Sequence, residues 1–161
     1  MTSDVHELHT TSVTTPSDTV IRMERTFDAP RELVWKAHTD PELMAQWLGP
    51  NDVTITIEEM DVRPGGSYRY TARREGEEFG FSGEYREVDP PKVLEATFVF
   101  SGWDSTSVDR MELEELEGGR TRLVSTSTFD SQEERDGKLQ SGMKRGVDDG
   151  YDKLDELLAA R

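Results

Sequence analysis

Residues 131–161 read SQEERDGKLQSGMKRGVDDGYDKLDELLAAR. Leu139, Met143, Val147, Gly150, Tyr151, Leu154, Leu157 and Leu158 recur at steps of three and four. At about 100° per residue they make one apolar stripe on a helix. Lys144, Arg145, Asp148, Asp149, Asp152, Lys153, Asp155 and Glu156 fall on the wet side. Ser131 with Glu134 three residues on has the form of a capping box, and the acidic run suits the positive end of the helix dipole. A continuous helix here would be about 45 Å long. Gly137 stands inside it as a candidate kink or true start. Such a stripe needs a partner, and the preceding chain reads mostly as strands.

Thr19 to Phe27 alternates as a first strand, with Met23 and Phe27 on its inward side. Asp28 and Pro30 suit a helix start. Leu33, Val34 and Ala37 give a short helical face. Thr39 and Glu42 form a second capping-box pattern, and Leu43, Met44, Trp47 and Leu48 make the next apolar side before Gly49-Pro50 stops it. The period then changes to two. Val53, Ile55 and Ile57 share a face, as do Tyr68, Tyr70 and Ala72, then Phe79, Phe81, Gly83 and Tyr85, then Leu94, Ala96, Phe98 and Phe100. Met111 and Leu113, and finally Leu123, Ser125, Ser127 and Phe129, continue the pattern. Pro64-Gly65-Gly66, Asp89-Pro90-Pro91 and Gly118-Gly119 mark the turns. Short links imply an antiparallel meander with one buried face. The expected architecture is α+β: a curved antiparallel sheet of about seven strands gripping a long C-terminal helix, with two short helices between strands one and two. Residues 1–18 carry no period and are expected to be a loose tail before a single domain over 19–161.

Composition narrows the function. The net charge of −15, from 34 acidic and 19 basic residues, argues against a nucleic-acid partner. No apolar run approaches the ~20 residues of a membrane span, and the N-terminus lacks the form of a secretory signal. Cysteine is absent, which removes disulfides and thiolate chemistry and fits a cytoplasmic location. His6 and His9 sit in the tail without a third ligand, so no metal or cofactor is expected. His38 closes a helix, where a partly charged imidazole is welcome. With these histidines a catalytic triad has little to draw on, and no catalytic residue is assigned.

The face assigned inward is unusually aromatic: Tyr68, Tyr70, Phe79, Phe81, Tyr85, Phe98 and Phe100. Core packing would use such residues, and so would an apolar pocket with a few placed hydroxyls. Ser125 and Ser127, where a core would carry Val or Leu, favour a cavity. Gly142, Gly146 and Gly150 recur four apart, so either a backbone comes close or space stays open beside the helix. The expected void is lined by Tyr70, Phe81, Phe98, Met111 and Met143, with Gly146 at its edge and Trp47 capping one mouth. Arg110 is left with two orientations, inward as a buried cation or outward to solvent.

Three segments resemble a known family. Phe27-Asp28-Ala29-Pro30-Arg31-Glu32-Leu33-Val34-Trp35-Lys36-Ala37 with Thr39-Asp40-Pro41-Glu42 and Trp47 is similar to the N-terminal signature of the activator of Hsp90 ATPase homologue-like family. Asp61-Val62-Arg63-Pro64-Gly65-Gly66 resembles its second signature, and Ser141 to Gly146 with Tyr151 to Leu158 resembles its closing helix. The resemblance implies the START-like helix-grip superfamily, with a hydrophobic cavity between sheet and helix. It implies binding of a small apolar or amphipathic molecule first. A chaperone-interacting module and a polyketide cyclase-like enzyme are the alternatives. Stimulation of a chaperone ATPase is not expected, since the tail is too short to hold the second binding domain of the eukaryotic co-chaperone.

Overall fold

A computed structural model describes residues 10–101 and 105–160. It comprises β1 (Ser12–Ser17), β2 (Val20–Phe27), α1 (Arg31–Thr39), α2 (Pro41–Trp47), β3 (Thr54–Met60), β4 (Ser67–Arg74), β5 (Glu77–Asp89), β6 (Val93–Phe100), β7 (Thr106–Leu116), β8 (Arg120–Thr128), α3 (Gln132–Gln140) and α4 (Met143–Ala159). The strands form one antiparallel sheet of order β1-β2-β8-β7-β6-β5-β4-β3. The order follows from the chain. Hairpins join β3 through β8 in sequence, and β2 closes against β8, so the two helices between β2 and β3 cross the concave side.

The sheet has eight strands rather than the expected seven. The extra one, β1, lies in the supposed tail. Val13 pairs with Met23 and Ser12 with Glu24, so the otherwise open edge of β2 gains backbone partners. Pro16 is tolerated because β1 is itself an edge. Thr11 is buried, and its Oγ1 accepts from Arg25 Nη1 at 3.1 Å. His6 and His9 lie outside the described residues.

The single C-terminal helix is in fact two. Ser131 caps α3 as expected, its Oγ accepting from Glu134 N at 3.1 Å. The break falls at Ser141-Gly142, not at Gly137. Ser141 Oγ donates to the Lys138 carbonyl at 2.6 Å, competing with the helical ladder. Gly142 then takes φ +84°, a conformation that favours glycine, and starts α4. Asp40, rather than Thr39, caps α2: its Oδ1 accepts from Glu42 N at 2.9 Å. At the first helix Pro30, not Asp28, occupies the cap position.

The main core lies where α1, α2 and α4 meet β2, β7 and β8. Phe27, Val34, Trp47, Leu113, Leu123 and Leu154 are buried in it. A smaller cluster joins Ile21, Met23 and Phe129 to Leu139, Met143 and Val147. The glycine edge of α4 faces the segment after α2, not the concave sheet. A Cβ on Gly150 would lie 3.0 Å from the Trp47 carbonyl and 3.3 Å from Gly49 N. One on Gly146 would lie 3.4 Å from Pro50. Gly146 and Gly150 therefore pack against this segment rather than edge a void, while nothing lies within 4 Å of a Cβ at Gly142.

His38 is buried against Trp47, with ring centroids 4.8 Å apart, and its Nδ1 donates to the Val34 carbonyl at 2.8 Å. Burial pulls its pKa down to about 4, so the helix end holds a neutral imidazole rather than the partly charged one expected. Below an unfolded pKa near 6.5 the unfolded chain binds the extra proton. Stability is therefore full above that value and lost as pH falls toward about 4. The loss between pH 7 and about pH 5 is expected to reach about 2 kcal/mol. Urea unfolding of the protein and of His38→Gln over this range checks it: the difference between them should narrow on acidification, and a constant difference would contradict the burial argument.

Candidate functional site

The concave face of β4, β5 and β6 is paved with rings. Alternation puts Tyr68 and Tyr70, Phe79 and Phe81, and Phe98 and Phe100 on one side, and the register makes Tyr70 face Phe81 and Phe81 face Phe100. Tyr70–Phe81, Phe81–Phe100 and Phe81–Phe98 stack at 4.8, 5.0 and 5.7 Å with interplanar angles of 18°, 21° and 30°. Tyr68 continues the row at 6.2 Å from Tyr70, and Phe79 ends it at 6.2 Å from Phe100. All six rings are half-buried, and none belongs to either core cluster. They form a ring floor of offset-stacked rings, each partly covering the face of the next, so that ring edges meet the space above the sheet.

The other expected site residues divide. Tyr85 shares the face, 5.5 Å from Tyr68, but is buried at its far end. Met111 is in the main core and Met143 packs on the smaller one. Ser125 lies half-buried between Met23 and Met111. Trp47 caps no mouth: it stacks on Tyr151 at 5.9 Å inside the core, its Nε1 donating to the Ala37 carbonyl at 2.9 Å. Gly146 lies against Pro50, away from the ring floor.

Two groups that the sequence reading passed over complete the site. Asp109 follows the parity of Met111 and Leu113, so its side chain shares the concave face. It stands between Ala96 on β6 and Ser127 on β8. Ser107 Oγ donates to its Oδ1 at 3.2 Å, and the Ser127 hydroxyl also bonds to it. Burial raises the Asp109 pKa, against the lowering influence of Ser127, Lys138 and Ser107. Lys138 on α3 reaches over the floor, its Nζ 4.6 Å from the Phe98 ring centroid. Burial lowers its pKa, and the nearby Asp109 carboxylate opposes that shift. Phe98, Phe100, Ser105, Ser107, Phe129 and Lys138 line a narrow cleft, partly open to solvent, with room for about one water molecule.

The phenols around Asp109 stay protonated. Burial pushes Tyr68 and Tyr70 well above the usual tyrosine range, and pushes Tyr151 up to about 12. Tyr68 already donates to the Thr97 carbonyl at 2.8 Å. Arg110 points the other way. On the convex face it donates to Glu87 at 2.9 Å and Glu95 at 2.7 Å, so it gives the cleft no cation. The arrangement thus offers a row of stacked rings ending at a cleft that carries the Lys138 amine and the Ser105 and Ser107 hydroxyls, with the Asp109 carboxyl bonded to Ser107 behind it. Among the described residues no helix is long and apolar enough to cross a membrane.

A curved antiparallel sheet closed by a C-terminal helix, with rings and a few polar groups on its concave side, defines a helix-grip protein. The chain belongs to the Activator of Hsp90 ATPase homolog 1-like protein family, whose model matches residues 28–159. It is similar to a solved Rhodobacter sphaeroides protein, at 27% identity and TM-score 0.89, over 94% of this chain and 100% of that one. It is similar to Ms6760 from Mycobacterium smegmatis, at 27% identity and TM-score 0.82, over 92% and 97% of the two chains. DynU16, a protein in the dynemicin biosynthetic locus, shares the fold at 23% identity and TM-score 0.67, over 89% of this chain and 48% of its own. No curated protein matches the sequence.

Proposed function

We propose that this protein binds a small, planar, amphipathic molecule on the ring floor of β4–β6, with its polar end toward Asp109 and Lys138. The observation that carries the reading is the half-exposed stack of Tyr70, Phe81, Phe98 and Phe100 outside both core clusters. Rings that only filled a core would be covered by helix side chains. A planar ligand gains edge-to-face contacts with such a row, worth about 0.5–1.5 kcal/mol per ring pair beyond the buried area. An aliphatic chain gains only the area. The polar end gives orientation: a ligand hydroxyl or carbonyl can meet the Lys138 ammonium or the Ser107 hydroxyl.

The test is a titration with 2-naphthol, followed by its fluorescence. Saturable binding by the unaltered protein is expected. Phe81 touches three other rings, so Phe81→Ala should weaken binding at least about tenfold, or about 1.4 kcal/mol. The variant should stay folded, because Phe81 lies outside the core clusters. Equal affinity in both proteins would remove the ring floor from the account.

A further inference from the structure

We infer that α3 is a lid over the Phe98 end of the ring floor, hinged at Ser141-Gly142 and latched shut by Arg135 on the turn between β1 and β2. The inference rests on the binding reading above and adds to it how a ligand gets in.

The closed cleft at that end has room for about one water molecule. A planar ligand reaching Lys138 therefore needs one wall of the cleft to move. Phe98, Phe100 and Ser107 are fixed in the sheet by pairing between strands. Lys138 is the lining residue that α3 supplies, and its Nζ covers the Phe98 ring at 4.6 Å from the centroid. α3 is lightly held. Of its nine residues only Arg135 is buried, and only Leu139 packs on a core cluster. α4, in contrast, buries Gly150, Tyr151, Leu154 and Leu158.

Ser141 and Gly142 are exposed, and Gly142 holds φ +84° with nothing within 4 Å of a Cβ. The angle between α3 and α4 is thus held by one backbone conformation rather than by packing at that residue. The latch is Arg135. Its Nη1 donates to the Ser17 carbonyl at 2.7 Å, and its Nε donates to Asp136 at 2.9 Å. A charged donor makes the bond to Ser17 stronger than a neutral one would. Ser17 ends β1, and β1 also places Val13 on the Ile21–Met23–Phe129 cluster that seats Leu139. Breaking the Arg135 bond frees α3 to swing about Gly142, which lifts Lys138 off Phe98 and widens the cleft beside Phe129.

Amide exchange of the full chain, followed by NMR, tests the lid. Amides of α3 are expected to exchange at least about tenfold faster than those of α4 beyond Val147. Arg135→Met keeps the helix propensity but loses the latch, so it should speed α3 by at least about another tenfold and leave α4 unchanged. Gly142→Ala strains the closed angle with nothing for its Cβ to strike, and should speed α3 about fivefold or more. Both variants should also raise the association rate of 2-naphthol, read by stopped-flow fluorescence, about fivefold or more. Exchange in α3 equal to that in α4, or unmoved by Arg135→Met, would overturn the inference. If 2-naphthol binds the parent and both variants at one association rate, the lid fails and the binding reading stands. If it binds none of them, the binding reading fails and takes the lid's role as an entrance with it.

Discussion

Arg25→Met is expected to lower the stability of the folded chain by about 3–5 kcal/mol. Arg25 is a fully buried cation at the junction of β2 and α4, its side chain 1% exposed. Nη2 donates to Asp152 Oδ1 at 2.9 Å and also to Asp155, and Nη1 donates to Thr11. The guanidinium lies 5.6 Å from the Phe27 ring centroid and 5.7 Å from that of Tyr151. Removing it takes the 13% exposed Asp155 carboxylate away from the buried cation that faces it, and breaking a buried pair from one side is what makes such losses large. Asp152 is 65% exposed and can return to water, so Asp152→Asn should cost far less. A domain of this size loses about 2–4 °C per kcal/mol, so the Arg25→Met melting temperature should fall by about 10 °C or more. A fall of only a degree or two would mean that the pair contributes no more than a surface bridge.

Gly83→Val should be nearly as damaging, by overpacking rather than by charge. Gly83 faces Tyr68 across the β4–β5 ladder, and the Tyr68 ring lies over it. A Cβ at Gly83 would run into both the Thr97 carbonyl and the Tyr68 ring. Backbone cannot yield as a flexible side chain can, so the cost should reach the upper end of about 1–3 kcal/mol or exceed it. The Tyr68 hydrogen bond to Thr97 would go with it, and that end of the ring floor would lose its order. Gly137→Ala is the matched control. Nothing lies within 4 Å of a Cβ there, and the site is helical, so a small gain of about 0.5–1 kcal/mol is expected. Denaturant midpoints for the two variants should therefore move in opposite directions. A Gly83→Val protein as stable as the parent would show that Tyr68 does not need the space.

What the sequence made legible follows from which interactions are local. Ser131 and Glu134 announced the start of α3 because a cap is made within one turn. Gly118-Gly119 announced the β7–β8 hairpin, and both residues take positive φ, +78° and +72°. Strand parity put six rings on one face, since period two needs no knowledge of the partner strand. The missed features depend on distant partners. β1 exists because β2 has an open edge to cover, which Ser12–Ser17 cannot reveal alone. Arg25 has the inward parity of Met23 and Phe27, but its carboxylates lie more than a hundred residues on. The glycine edge of α4 could not say which backbone it meets, and it meets Trp47 and Gly49. Asp109 could have been found by extending the Met111–Leu113 parity one step back. Lys138 could not, because its place over Phe98 depends on the break at Gly142 that sets the angle between α3 and α4.

The most direct test of the central claim is a two-dimensional NMR titration of the side chains with 2-naphthol. Ring-current shifts are expected to concentrate on the aromatic protons of Tyr70, Phe81, Phe98 and Phe100 and on the Lys138 side chain, with Trp47, Leu123 and Leu154 unmoved. Shifts scattered over the convex face, or confined to the Trp47 core with the ring floor silent, would contradict the account.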